Sequence, residues 1–186
     1  MMKHRNHKGF TLIELLTTST ITIILLTLAA PSFGRLINKS RAQERVEGTL
    51  SVLQLARTTA INEHQLVTVC AGTPSTGCTR RWQDGLLAYR GAPTTLPAPE
   101  NVLYSEAAIS STQLKGNISR LVFNETGTLE GQSGSLLVCP ENGDEAYSYR
   151  LVVNRGGRPR VYTLEETSAM PSSRLTHRDC NYGWRY

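Results

Sequence analysis

The sequence predicts an α+β protein, a long N-terminal helix carrying an antiparallel β-sheet head, and three observations support this. Residues 10–30 are apolar with a single charge, Glu14. From Leu36 to about Asn62 apolar residues return at three-, four- and seven-residue steps. After Gln65 the period changes, and short β-branched runs alternate with Gly- and Pro-rich turns. A chain of 186 residues has room for one membrane helix and one domain with its own core. No internal repeat, low-complexity tract or second domain is visible.

Residues 1–9 form a basic leader, with Lys3, Arg5 and Lys8 and no acid. Residues 10–30 follow as a membrane helix. At ~1.5 Å per residue, about twenty residues match the roughly 30 Å of bilayer hydrocarbon. The basic flank keeps the N-terminus cytoplasmic. A secretory signal is cut after its apolar run, at a small-x-small site. Ala29-Ala30-Pro31 is a poor version of that site, and the small residue Gly9 lies before the run instead. Glu14, one turn into the membrane, costs at least ~2.5 kcal/mol and calls for a partner.

Pro31 and Gly34 predict a kink or local melting. Residues 31–62 then read as the amphipathic continuation of the helix. Val46, Leu50, Leu53 and Ala60 lie on one face, with Leu36, Ile37 and Ala42 leading in. Arg41, Gln43, Glu44, Glu47, Ser51 and Arg57 lie opposite. Residues 63–186 form the head. Strands are expected at 66–70, 82–90, 102–104, 118–124, 135–139, 146–154 and 158–164. Turn chemistry separates them at 71–77, 91–100, 125–127 and 155–157. Pro159 cannot donate to a ladder, so the last strand belongs at a sheet edge.

The four cysteines, Cys70, Cys78, Cys139 and Cys180, are even in number. In an exported domain this suggests disulfides. Of three possible pairings, the expected one joins Cys70 to Cys78 across a short loop and Cys139 to Cys180 at the tail. No C-x2-C pair occurs and the four histidines are scattered, so neither a zinc site nor a cofactor is expected. The net charge is +5, unevenly spread. Without the leader's three cations it is +2, and from Arg150 onward seven arginines face three acids, a local +4. A mildly acidic body with a basic C-terminal region points to an anionic partner there. Sixteen of the 20 basic residues are arginine, which suits forked contacts to phosphate or carboxylate. The plainer alternative is a solvated Arg-rich surface.

Gly9-Phe10-Thr11-Leu12-Ile13-Glu14 resembles the class III signal of type IV pilins and type II secretion pseudopilins. The resemblance implies cleavage between Gly9 and Phe10 by a prepilin peptidase and N-methylation of Phe10. It places Glu14 at the fifth mature position, where it pairs with a neighbouring subunit's N-terminal amine during assembly. Val67-Thr68-Val69-Cys70, Cys78, Trp82-x-Asp84-Gly85, Leu121-Val122-Phe123-Asn124-x-x-Gly127 and Gly157-Arg158-Pro159-Arg160 resemble the GspH/FimT family of minor pilins and pseudopilins. The likeness extends to about Tyr162. It implies the type IV pilin-like architecture, with other major and minor pilin subunits as partners. It also implies a single-pass location in the bacterial inner membrane, head in the periplasm, and later a pilus at the cell surface.

The last hairpin carries Arg155, Arg158 and Arg160 around Gly156-Gly157. In an extended segment 158 and 160 share a face, and Arg155 lies across the turn. Three guanidiniums on a glycine loop suit a phosphate backbone. The Gly-Arg-x-Arg pattern resembles that of FimT-type minor pilins, which bind DNA in natural transformation. It implies DNA contacts at Gly157, Arg158 and Arg160, flanked by Arg155, with Arg174 and Arg178 joining if the tail folds back. Tyr162 is the one aromatic nearby, so base stacking is weak and binding sequence-independent. The competing reading is a type II secretion minor pseudopilin, or a structural minor pilin in pilus assembly and twitching. An enzyme is not expected. His4 and His7 lie in the leader, His64 and His177 lack a partner motif, and no P-loop, HExxH or GxSxG is present.

Overall fold

The computed structural model describes residues 10–93, 96–108, 111–141, 145–163 and 180, without the side chains of 28–32 and 145. Among the described residues one long helix, α1 (Leu12–Glu63), precedes nine strands. It starts at Thr11, whose hydroxyl accepts the Glu14 N–H at 3.3 Å, an N-cap bond to the third helical residue. The helix runs unbroken through Pro31 and Gly34, so the melting expected there does not occur. Proline removes one N–H, and a long helix continues on its remaining ladder.

The chain divides into two compact units, Met1–Ile37 and Asn38–Tyr186. In the first, Phe10, Leu12, Ile13, Leu15, Leu16, Ile21 and the residues 23–26 are all exposed. Its hydroxyls turn inward: Thr18 donates to the Glu14 carbonyl at 2.9 Å, Thr20 to Leu16 and Thr22 to Thr18, both at 2.7 Å. A Thr-rich helix thereby satisfies its polar groups without water. Among the described residues no helix is long and apolar enough to cross a membrane. Residues 28–32, which complete the run read from sequence, fall outside the described side chains.

The second unit packs the rest of α1 against two antiparallel sheets. The first holds β1 (Val67–Thr73), β2 (Gly77–Thr79), β3 (Gly85–Arg90), β4 (Val102–Ala107) and β6 (Arg120–Phe123), in the order β2-β1-β3-β4, with β6 also on β1. The second is β5 (Thr112–Gly116), β7 (Gly134–Pro140), β8 (Tyr149–Val153) and β9 (Pro159–Thr163), in the order β5-β7-β8-β9. Pro159 thus opens an edge strand, where its missing N–H costs no ladder bond. Val46, Leu53, Ala56 and Ala60 of α1 meet Val67, Val69, Leu86, Phe123, Leu136, Val138, Leu151 and Val153 in one core. The apolar stripe of 42–60 exists to fill this core.

Four elements differ from the sequence expectation. Trp82–Asp84 is a 3-10 turn, not strand, and β3 begins at Gly85 with φ +138°. Trp82 is buried there, its indole N–H donating to the Ile118 carbonyl at 2.5 Å. The strands β2 and β5 were not expected: Gly77-Cys78-Thr79 is too short to show a period, and Thr112–Gly116 has one large apolar residue. Tyr147, read on one face with Tyr149, Leu151 and Val153, lies in a 3-10 turn before β8.

Cys70 is bonded to Cys78 and Cys139 to Cys180. The first bond lies on the far side of its sheet, with Cys70 beside Leu87 and Tyr89. The second seats Cys180 on Leu137. Lys115, itself buried, donates to the Cys180 carbonyl at 2.8 Å. The bond and the lysine together hold Cys180 to the second sheet.

Candidate nucleic-acid interface

The β8–β9 hairpin turns through residues 154–158. The Gly157 N–H donates to the Asn154 carbonyl at 2.9 Å, and the Arg158 N–H to Asn154 Oδ1 at 3.1 Å. Asn154 therefore closes the turn with both its backbone and its side chain. Arg155, Arg158 and Arg160 are exposed. In register, Arg160 stands opposite Val152 and Tyr162 opposite Arg150, while Val161 faces buried Leu151. Strand alternation puts Arg160 and Tyr162 on the sheet's outer face. Arg158 precedes the strand and lines an open groove against α1 with Gln54, Arg57, Thr58 and Pro159.

Gly157 takes a different place from the one expected. It is buried, with φ +70°, and a Cβ built on it would lie 1.9 Å from the Gly127 carbonyl oxygen. Its close backbone approach is to the turn after β6. Two further bonds fix this junction. The Leu129 N–H donates to the Arg155 carbonyl at 2.9 Å, and Arg57 Nε donates to the Gly127 carbonyl at 2.9 Å. Helix, β6–β7 turn and hairpin tip are thereby joined, and the glycine that makes the contact possible leaves the flanking arginines in solvent.

Arg57 is the residue that sequence reasoning passed over. It was read as part of the solvated helix face, yet it is half-buried and bonded to a residue 70 positions away. No local pattern signals that contact. Arg174 and Arg178 lie outside the described residues, as does Gly9. At the other end of the chain, Phe10 is exposed and Glu14 sits in the first turn of α1 with its carboxylate side exposed to the surroundings.

Away from the hairpin, two ion pairs fasten α1 to the first sheet. Arg45, buried on the helix, pairs with Glu106 of β4. Glu63, at the helix end, accepts from Arg90 Nε at 2.6 Å and from its terminal nitrogen at 3.0 Å. That bidentate contact holds the Glu63 carboxyl below its ordinary range and raises Arg90 in turn. The Tyr104 hydroxyl is pushed up by burial, with the Glu106 charge adding to it.

Comparison with known families places this arrangement. The family described as Type II transport protein GspH matches residues 46–157, which include the core half of α1 and the strands up to the hairpin turn. The chain belongs to the GspH family. The prokaryotic N-terminal methylation motif matches residues 4–30. Among solved structures, the type IV minor pilin FimU of Pseudomonas aeruginosa has the same fold in two crystal forms. One is 21% identical with a TM-score of 0.53, covering 70% of this chain and 98% of FimU. The other is 19% identical with a TM-score of 0.55, covering 72% and 95%. The minor pseudopilin EpsH of the Vibrio cholerae Type 2 Secretion System is 16% identical with a TM-score of 0.49, covering 66% of this chain and 96% of its own. No curated protein matches the chain. As a GspH-type minor pilin or pseudopilin with a methylation motif, it is a structural subunit that assembles with other pilins after prepilin processing.

Proposed function

We propose that this GspH-family subunit binds DNA through the β8–β9 hairpin, without sequence specificity, and serves DNA uptake in natural transformation. The observation that carries the reading is the division of roles at the tip. Gly157 is consumed by packing against Gly127, while Arg155, Arg158 and Arg160 are left exposed within six residues at a sheet edge. Phosphate contacts of this kind position a duplex but read no sequence. A single head engages about three phosphates and binds weakly; several heads on one filament gain by avidity. In the same reading, cleavage falls between Gly9 and Phe10, Phe10 is N-methylated, and Glu14 pairs with a neighbour's N-terminal amine. Residues 10–30 anchor the subunit as a single span of the inner membrane, head in the periplasm, before the pilus forms.

The test uses the full-length oxidised protein in neutral detergent and a short mixed-sequence duplex at several salt concentrations. Expected is salt-sensitive binding, with log K against log salt falling at a slope of about −3. Each of Arg155→Gln, Arg158→Gln and Arg160→Gln should make the slope shallower by about one. A folded wild-type protein that leaves the duplex free at low salt refutes DNA binding. The type II secretion pseudopilin reading, to which the matched family's description points, then takes its place.

A further inference from the structure

We propose that the groove between α1 and the β8–β9 hairpin is a second phosphate site, with Arg57 as its anchored cation, so that a bound backbone runs from the hairpin tip onto the helix. This rests on the DNA reading of the hairpin and extends it to a different element. The groove has a volume of about 410 Å³ and is lined by Gln54, Arg57, Thr58, Arg158 and Pro159. Gln54, Arg57 and Arg158 can each donate a hydrogen bond into it, and no carboxylate is among the lining residues. Two guanidiniums from separate elements therefore share one concave surface without a counter-charge in its wall.

The anchoring of Arg57 is what sets it apart from an ordinary surface arginine. Its Nε is spent on the Gly127 carbonyl, which fixes the plane of the guanidinium. Its terminal amino groups have no other bond among the described residues, and its side chain belongs to the groove lining. An arginine held at Nε has already lost much of its rotamer freedom, so it gives up less on binding an anion. The same geometry offers two parallel N–H donors to a phosphate, the bidentate mode that favours arginine over lysine. Gln54 and Thr58 lie one turn apart on the exposed side of α1. The Thr58 hydroxyl already donates to the Gln54 carbonyl at 2.9 Å, so the Gln54 amide supplies the neutral donor along the path.

Arg57→Gln alone is not a clean probe, because it also removes the bond to Gly127. Gln54→Glu leaves that bond intact, keeps the side-chain size and places a carboxylate in the groove wall. Gln43→Glu, exposed about three turns earlier on α1, adds the same charge away from the groove. The three variants and Arg160→Gln are titrated with the duplex in detergent, beside thermal melts. Expected is about threefold or greater weakening for Gln54→Glu relative to Gln43→Glu; with the groove adding one contact to the hairpin's three, the wild-type slope lies nearer about −4 and Arg57→Gln returns it to about −3. If Arg160→Gln weakens binding but Gln54→Glu matches Gln43→Glu, the groove site is wrong and the hairpin reading stands. If the wild type binds no duplex, both are overturned together.

Discussion

Gly157→Ala separates a structural glycine from one that contacts a ligand. The added methyl would lie 1.9 Å from the Gly127 carbonyl oxygen and 3.3 Å from Arg57 Nε. Both the hairpin tip and the β6–β7 turn would have to separate by about 1 Å to restore a normal contact. A left-handed φ costs a non-glycine residue roughly 1–2 kcal/mol. Separation also breaks or stretches the Leu129–Arg155 and Arg57–Gly127 bonds, each worth about 1 kcal/mol. The loss sums to ~3–4 kcal/mol, or roughly 10 °C in Tm for a domain of this size. The control is Gly156→Ala: its added methyl would lie 3.4 Å from Asn154 Oδ1, an ordinary contact, and its φ is not in the left-handed region. That variant should stay within ~0.5 kcal/mol of wild type. Thermal melts of the full-length oxidised protein in detergent measure both. A Gly157→Ala protein as stable as wild type would refute the packing argument and return this glycine to the ligand.

Other perturbations test other parts of the structure. The Glu63 carboxyl is lowered in the folded state by Arg90, so the pair's contribution is fully present above the unfolded glutamate pKa. It is lost as pH falls through the lowered folded value, so Glu63→Gln should lower Tm slightly at neutral pH and converge with wild type in acid, flattening Tm over that window. Removing Cys139–Cys180, which spans 41 residues, should cost ~4 kcal/mol; removing Cys70–Cys78, which spans 8, about 2.5. Urea midpoints of the two double-serine variants should fall in that order, and the reverse order would show that the tail bond closes an already restricted chain. Glu14→Gln should keep the helix start yet fall out of sheared filaments, whereas Thr11→Ala should weaken the start by about 1 kcal/mol and still assemble. Equal incorporation of Glu14→Gln and wild type would remove Glu14 from assembly.

Pro159 shows what the sequence makes plain: a residue without an N–H demands an edge, and β9 is an edge. The same holds for the apolar stripe of α1 and for the change of period after Gln65, since burial on one face imposes a pattern that survives without coordinates. Lys115 shows the opposite. Its charge argues for solvent, but its ammonium is buried against a carbonyl 65 residues later in the chain. Arg57 was misread for the same reason, its acceptor lying 70 residues away. Gly127 and Gly157 were each legible as turn residues with positive φ. What could not be read was that the two turns meet, since contact between loops leaves no periodicity in either. The arginines of the candidate site were visible in composition and spacing, and their cooperation with the helix was not.

The cap at Thr11 changes what has to be explained about Glu14. A carboxylate in the apolar segment costs at least ~2.5 kcal/mol. Thr11 makes Glu14 the third helical residue, in the turn where the helix macrodipole favours an anion by ~0.3–1 kcal/mol. The helix start therefore offsets part of the cost within a single subunit and leaves the rest outstanding. Under the proposed processing, which makes Phe10 the N-terminus, a neighbour's amine is the kind of cation that would supply the remainder. On that reading the subunit is tolerable alone and better satisfied in a filament, and the Thr11–Glu14 pair would couple the fold of one helix to the association of many.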